Sequence, residues 1–312
     1  MEIFKGFREL ARPLQNSVVT IGNFDGVHIG HQYIVKLATK RAHAIQPKVP
    51  AIAYVFRPHP RVILNPGEVV PLLTGYDEKT ELLAKYGIDI VIEEPFTRDF
   101  SETTADQFFN EIVIKRLHAS DVVVGHDFGF GSKRAGHLKE LEFLCARAGV
   151  ELTIVPPQML DGETISSSKI RALLGAGDLA AANKLLGREF SYRGEVIHGE
   201  NRGAGLGFPT ANLKVEDKLM LPFGVYSSWM VVDGKRLPGV TNVGVRPTFG
   251  EGLPALVESH LLDRQLDLYG KNVELQFVER LREEKKFSGV EELKAQIAQD
   301  VGVARISLGV LK

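Results

Sequence analysis

The sequence predicts an α/β chain in two parts, a parallel sheet flanked by helices and then a small antiparallel β-barrel. Three observations predict it. The 312 residues exceed what one ordinary hydrophobic core holds, since domains cluster near about 100–150 residues. Short β-branched runs alternate with helical patterns as far as Val155, the mark of parallel strands with crossover helices. After Gly187 the pattern changes to short strands punctuated by glycine and proline, with one late helix.

Taken in order, Ser17–Ile21 reads as a strand and a helix is expected from Gly30 to Ile45. Ala51–Phe56 is the next expected strand. Asp77 is placed as N-cap of a helix over Glu78–Tyr86, with Gly87 at its C′ position. Ile88–Ile92 reads as a strand. Thr104–Leu117 reads as a helix, with Phe108, Phe109, Ile112 and Val113 at helical spacing. Asp121–Val124 is an expected strand, Leu138–Ala148 a helix stopped by Gly149, and Glu151–Val155 a strand. Two helical turns, Ser168–Leu174 and Asp178–Leu186, are expected to link the halves. Beyond them Tyr192–Ile197, Val225–Val232, Leu256–Leu262 and Val273–Phe277 read as strands. Asp233-Gly234 is a two-residue hairpin signal, and Val290–Asp300 a helix capped by Ser288.

Hydrophobic residues at 44% and charged residues at 25% exclude disorder, collagen and coiled coil as dominant states. The 38 Lys+Arg balance 39 Asp+Glu, which argues against a large basic footprint for nucleic acid or anionic membrane. Cys145 is the single cysteine and cannot form an internal disulfide, pointing to a reducing compartment. The N-terminus carries an acid at position 2 and does not read as a secretory signal. No stretch approaches the roughly 18 consecutive apolar residues of a membrane helix. A cytoplasmic location is expected.

Chemistry concentrates first in Gly22-Asn-Phe-Asp-Gly-Val-His-Ile-Gly-His31, which leaves a strand and enters a helix. Gly22 and Gly26 allow tight turns, and helix N-termini attract phosphate. His28 and His31, three apart, can face one anion and stabilise charge developing at phosphorus. A His-x-x-His metal site or two surface histidines are the plainer readings, though zinc would need further ligands. Gly125-His-Asp-Phe-Gly-Phe-Gly131 follows another strand, where its glycines with Phe128 and Phe130 suit a loop admitting a flat ring, or a plain glycine turn with core aromatics. Ser166, Ser167 and Ser168 with Lys169 and Arg171 suit a triphosphate, or a Ser-rich cap with solvated basic residues.

A second concentration is His198-Gly…Gly207-Phe-Pro-Thr-Ala-Asn212, with Gly199, Arg202, Gly203 and Gly207 in one loop. Phe208-Pro209 where a helix should open excludes a dinucleotide fingerprint, and Gly-Lys-Ser/Thr is lacking. Thr210 and Asn212, two apart, share one face of an extended segment and offer hard oxygens suited to Mg²⁺. A Gly/Pro turn entering a strand is the plainer reading. Glu258, mid-strand among apolar neighbours, is either a paired structural acid or a general base.

Gly22–His31 resembles the His-x-Gly-His signature of the α/β-phosphodiester nucleotidyltransferases, and Ser166-Ser-Ser-Lys-Ile-Arg171 resembles their second signature, with Ser168 where Thr is usual. Pro209-Thr-Ala-Asn212, Gly239–Thr248, Glu258–Asp263, Leu268-Tyr-Gly270 and Leu281–Lys285 resemble riboflavin kinase, with Ala204 where the family's loop carries Arg. Over essentially the whole chain the sequence resembles the bacterial bifunctional riboflavin kinase/FMN adenylyltransferases, or FAD synthetases. The resemblance implies a Rossmann-like FMN adenylyltransferase domain over 1–186 and a β-barrel riboflavin kinase domain over 187–312. It also implies Mg²⁺ with ATP, held by Thr210 and Asn212, and flavins as substrates and products. Glu258 would be the base, His28, His31 and Arg171 would stabilise the transferring group, and Asn23, Phe24, Asp25 and Asp127 would bind nearby. The expected partners are riboflavin, FMN and ATP, with no nucleic acid or membrane and at most a transient homo-oligomer. A tRNA-linked enzyme sharing His-x-Gly-His and a non-catalytic flavin-binding module are the competing classes.

Overall fold

The computed structural model describes residues 1–131, 137–198, 207–215, 218–244, 256–264 and 266–310. The chain divides into two units, Met1–Ser166 and Ser167–Lys312.

In the first unit β1 (Glu2–Phe4), β2 (Ser17–Ile21), β3 (Ala51–Arg57), β4 (Ile90–Pro95), β5 (Ala119–Gly125) and β6 (Glu151–Val155) form one parallel sheet. The strand order is β1-β4-β3-β2-β5-β6. Every residue of β2 is buried, as a strand covered on both faces requires. Val19, Ile21, Ile52 and Ile92 serve one face, and Val18, Ala53, Val55 and Val91 the other. Ile34 and Val35 of α1 (Ile29–Ala44) cover that second face. The short α2 (Pro60–Leu64) follows, and then α3 (Tyr76–Lys85) adds Leu82 and Leu83 to the same cluster. After α4 (Arg98–Ser101) and α5 (Ala105–Gln107), Phe108 and Phe109 reach the first face, joined by Leu141 and Leu144 of α6 (Leu138–Ala148). A small hairpin, β7 (Met159–Leu160) with β8 (Glu163–Thr164), ends the unit. Burial, aided by the Asp121 carboxylate, pushes the Cys145 thiol up to about 12, so it stays unreactive.

Two local expectations change, and one strand is present that the sequence did not announce. Thr104 caps α5, accepting the Gln107 N–H at 3.2 Å, but the helix then widens to a π-helix over Phe108–Ile114. Either winding buries the same four apolar residues, so periodicity alone cannot separate them. The N-cap of α3 is Gly75, not Asp77, and the Glu78 carboxylate accepts the Gly75 N–H at 3.3 Å. The edge strand β1 is short and half-exposed, without the alternation that would announce it.

The second unit opens with α7 (Ser167–Ala176) and α8 (Leu179–Leu186). A closed antiparallel barrel follows: β9 (Phe190–Ile197), β10 (Thr210–Val215), β11 (Gly224–Val232), β12 (Lys235–Gly244), β13 (Leu256–Leu261) and β14 (Asn272–Glu283). Its strand order is β10-β13-β12-β11-β14-β9. Phe190, Tyr192, Tyr226 and Phe277 stack edge to face in its core, with neighbouring centroids 5.0 to 5.5 Å apart. The Asp233-Gly234 hairpin forms as expected, with φ of 49° and 72°, the left-handed pair of a type I′ turn. The two helical segments expected as a linker group with the barrel. Asn183 of α8 donates to the Phe277 carbonyl at 2.9 Å and accepts the Phe190 N–H at 2.7 Å. The sequence expectation puts the boundary after residue 186, whereas the contacts divide the chain after Ser166.

The last helix, α9 (Val290–Ser307), runs past Asp300, and its N-cap is Gly289. Ser288 instead donates its N–H and hydroxyl to Glu292 at 2.9 and 2.8 Å. Ala304 packs with Val225, Val240 and Leu262. Among the described residues no helix is long and apolar enough to cross a membrane.

Candidate active sites

Strand order in the first unit reverses between β2 and β5, and ligands of such sheets sit beyond the carboxyl ends at that point. The segments leaving those two ends are Gly22–His28 and His126–Gly131. The Gly22 N–H donates to the Tyr54 carbonyl at 3.1 Å, and Phe24, Gly26 and Val27 take left-handed φ of 48°, 85° and 37°. Asp25 accepts the Leu73 and Thr74 N–H groups at 2.9 and 3.2 Å, while the Gly26 N–H donates to Thr74 Oγ1 at 3.2 Å. These bonds staple the glycine loop to the residues just before α3. Asp25, expected among ligand binders, takes part in this staple.

His28 is the N-cap of α1, its Nδ1 accepting the His31 N–H at 3.3 Å. With Nδ1 an acceptor, the neutral ring carries its proton on Nε2. The His28 and His31 rings stack with centroids 3.6 Å apart, and Phe24 meets His31 edge-on at 5.3 Å. A Cβ on Gly30 would stand 3.2 Å from the His28 ring, so the glycine between the histidines admits this packing. Burial, then His28 and Lys79, hold His31 well below its usual 6.5. Buried His31 Nδ1 and Asn23 Oδ1 have no hydrogen-bond partner among the described residues.

A pH prediction follows from His31. Its folded pKa is depressed, so the unfolded chain binds this proton more readily. The stability it contributes is full above about 6.5 and is lost as pH falls from there toward the folded value. The thermal midpoint of the first unit should therefore drop more steeply from about pH 7 to about 5 than that of His31→Asn.

In the second loop Phe128 and Phe130 stack at 5.4 Å, and Phe130 is buried against Phe108. Asp127 is exposed, and a Cβ on Gly125 would lie 3.0 Å from its Oδ1. Ser166 closes the first unit. Ser167, Ser168 and Lys169 open α7, with Arg171 following and Ile170 and Leu174 on its buried face, and these belong to the second unit.

On the barrel, register assembles the second cluster. Thr210 of β10 lies opposite His260 of β13, and Asn212 lies opposite Glu258. Glu258 also lies opposite Asn242 of β12. Directly opposed residues share a face, so these five side chains form one polar patch. Val257, Ser259 and Leu261 point the other way and are buried. Glu258 is half-buried and Asn212 buried. His260 Nδ1 donates to the Pro209 carbonyl at 2.9 Å and so fixes the approach to Thr210. A cavity of about 330 Å³ is lined by Pro209, Thr210, Arg264, Asp267 and Tyr269, among others. Tyr269 stacks on His198 at 3.9 Å. Gly207 takes a left-handed φ of 88°. Gly199, Arg202 and Gly203 lie outside the described residues.

The Thr210 and Asn212 side chains make no hydrogen bond among the described residues, so their oxygens remain available to a hard cation. No group of three or more His, Cys, Asp or Glu among the described residues could hold a metal ion by itself. That donor set fits Mg²⁺ arriving with phosphates, which supply most of its ligands. Asn242, His260, Arg264 and Asp267 were not singled out from the sequence; only register and the cavity bring them in.

Paired imidazoles at a sheet's switch point, and a barrel carrying Thr, Asn and Glu on one face, make two candidate sites, one in each unit. The FAD synthetase family profile matches residues 11–169, and that of riboflavin kinase matches residues 186–308. The bifunctional riboflavin kinase/FMN adenylyltransferase of Escherichia coli K12 is 35% identical over 100% of this chain and 99% of that protein. The Listeria monocytogenes enzyme of the same name is 37% identical over 91% and 90%. A crystal structure described as a macrolide-efflux protein from Streptococcus pneumoniae superposes with a TM-score of 0.87. It is 29% identical, covering 97% of this chain and 98% of that one. The chain belongs to the bifunctional riboflavin kinase/FMN adenylyltransferase family. It phosphorylates riboflavin to FMN with ATP, then adenylylates FMN to FAD with release of pyrophosphate.

Proposed function

We propose that the His28–His31 cluster serves adenylyl transfer and the Thr210–Asn212–Glu258 cluster serves riboflavin phosphorylation. The observation that carries this division is that the two clusters lie in different units. In adenylyl transfer an FMN phosphate oxygen attacks the α-phosphorus of ATP, and the bond to the leaving pyrophosphate breaks. His28, donating from Nε2, and His31 stabilise the charge that develops there. Asn23 orients a phosphate, and the loops carrying Gly22, Phe24, Asp25, Gly26, Gly125, Asp127 and Phe128 shape the pocket. Ser166, Ser167, Ser168, Lys169 and Arg171 are proposed to bind a triphosphate.

In the kinase reaction Glu258 takes the proton of the ribityl 5′-hydroxyl as that oxygen attacks the γ-phosphorus, and the bond from that phosphorus to the departing ADP breaks. Thr210 and Asn212 would hold Mg²⁺, which neutralises charge on the nucleotide phosphates when bound. The loop with Gly199, Arg202, Gly203, Gly207 and Pro209 is proposed to cradle those phosphates. A cytoplasmic enzyme working on small molecules completes the reading, supported by the single buried cysteine and the balanced charge.

The test is a time course with purified protein, riboflavin, ATP and Mg²⁺, separating flavins by chromatography. Riboflavin should pass through FMN to FAD; flavin retained without conversion would sink the proposal. Thr210→Ala should raise the magnesium and ATP requirement of FMN formation about tenfold and leave FAD formation from FMN unchanged. An unaltered magnesium dependence would remove Thr210 from the ligand set.

A further inference from the structure

Lys79 lies in α3 and is only 5% exposed. A buried ammonium is costly unless paired. Yet among the described residues Lys79 Nζ makes no hydrogen bond and has no carboxylate at ion-pair distance. Its contact is the ring of Tyr76, with the centroid 5.1 Å away. None of the nearby acids pairs with it. Asp25 holds the Leu73 and Thr74 N–H groups, and Glu93 pairs with Lys5 and Arg57 through Oε2, while its buried Oε1 has no hydrogen-bond partner among the described residues.

This cation stands beside the first site. The staple through Asp25, Thr74 and Gly26 fastens the start of α3 to the glycine loop. The charge of Lys79 is near enough to His31 to lower that ring's affinity for a proton. His31 Nδ1 and Asn23 Oδ1 are unsatisfied atoms of the same neighbourhood. No carboxylate pairs directly with the ammonium, and the phosphate of a ligand would be such a partner.

We propose that Lys79 is a substrate-binding residue of the adenylyl-transfer site, donating to a phosphate oxygen of FMN or of ATP. The inference rests on the assignment of the His28–His31 cluster to adenylyl transfer. The ammonium acts as a compact point charge that draws a phosphate in against the repulsion of the other anionic substrate. It binds and makes or breaks no bond.

Burial pushes Lys79 down to about 8, with Asp25 and Glu93 opposing the shift and Arg57 adding to it. The groups facing it are Asp25 from the loop after β2, His31 of α1 with His28 stacked on it, Arg57 of β3, Glu93 of β4 and Tyr76 of α3. His31 titrates lower, and burial lifts Tyr76 above its usual 10. A loss of kcat/KM above about pH 8 would therefore belong to Lys79.

The experiment uses the full chain, with FMN-to-FAD kinetics across about pH 6 to 9.5 and riboflavin phosphorylation as internal control. Lys79→Met should raise one KM about 10- to 100-fold and leave FMN formation unchanged. A rise for FMN alone assigns the lysine to the FMN phosphate, and a rise for ATP alone assigns it to the triphosphate. The ligand-free variant should also melt at a higher temperature, because a desolvated charge without a partner has been removed. Lys79→Arg should stay active, with the alkaline fall in kcat/KM displaced upward.

Unchanged KM values in Lys79→Met would overturn the proposal. So would a lower melting temperature together with equal losses in both reactions, the signature of a structural lysine. Should the methionine variant fail to fold, Lys79→Arg decides, an unshifted alkaline limb sinking the idea. His28→Ala separates the two layers of argument. If it leaves FAD formation intact, the site assignment itself is wrong; if it abolishes FAD formation while both Lys79 variants behave as wild type, only the lysine proposal falls.

Discussion

Replacing Glu258 by Gln is expected to slow FMN formation by about 10²- to 10⁴-fold while FMN is still converted to FAD at the original rate. The amide has the size of the acid but cannot take the hydroxyl proton. The fold should tolerate it, because β13 is bonded on both sides, to β10 and β12, and the side chain is half-buried outside the packed interior. The two reactions are assayed separately, one started from riboflavin and one from FMN. Equal losses in both would refute the division of labour between the units. A normal kinase rate would return Glu258 to the role of a structural acid.

His28→Ala is expected to do the reverse, cutting FAD formation by about 10²- to 10³-fold so that riboflavin accumulates as FMN. Two contributions are lost together. One is the Nε2–H donor aimed at developing charge. The other is the N-cap of α1, worth about 1 kcal/mol. His28→Asn separates them, since an asparagine oxygen can accept the His31 N–H as the imidazole nitrogen does. That variant should recover the thermal midpoint and leave adenylyl transfer impaired; recovery of activity with stability would show that His28 acts only through the helix.

What the sequence disclosed was mostly local. Asp233-Gly234 demanded a left-handed pair and formed one, and β2 is an unbroken apolar run because both of its faces are covered. The glycine loop and its histidines announced themselves by residue type at a strand-to-helix junction. The remainder depended on partners distant in the chain. Lys79 reads as one solvated charge on a helix that also carries Asp77, Glu78, Glu81 and Lys85, and only the docking of α3 buries it. Asp25 has the chemistry of a ligand binder, and whether its oxygens face a phosphate or the Leu73 and Thr74 amides is decided by a segment 48 residues away. The α7–α8 pair is amphipathic wherever it packs, so its placement with the barrel rests on Asn183 finding β9 and β14. Asn242 and His260 enter the second site through cross-strand pairing, which no local pattern encodes.

That pairing gives the proposed kinase site an address with a parity. Side chains along a strand alternate between the two faces, and the outward position of Glu258 is set by neighbours on both sides, Asn212 and Asn242. Substitutions can tune this site gradually, but a single residue inserted or deleted in β13 ahead of Glu258 cannot. Such a change would carry the carboxylate into the apolar interior and present an apolar side chain to the nucleotide. β10, β12 and β13 can change length ahead of these residues only in pairs if the three side chains are to remain facing one another.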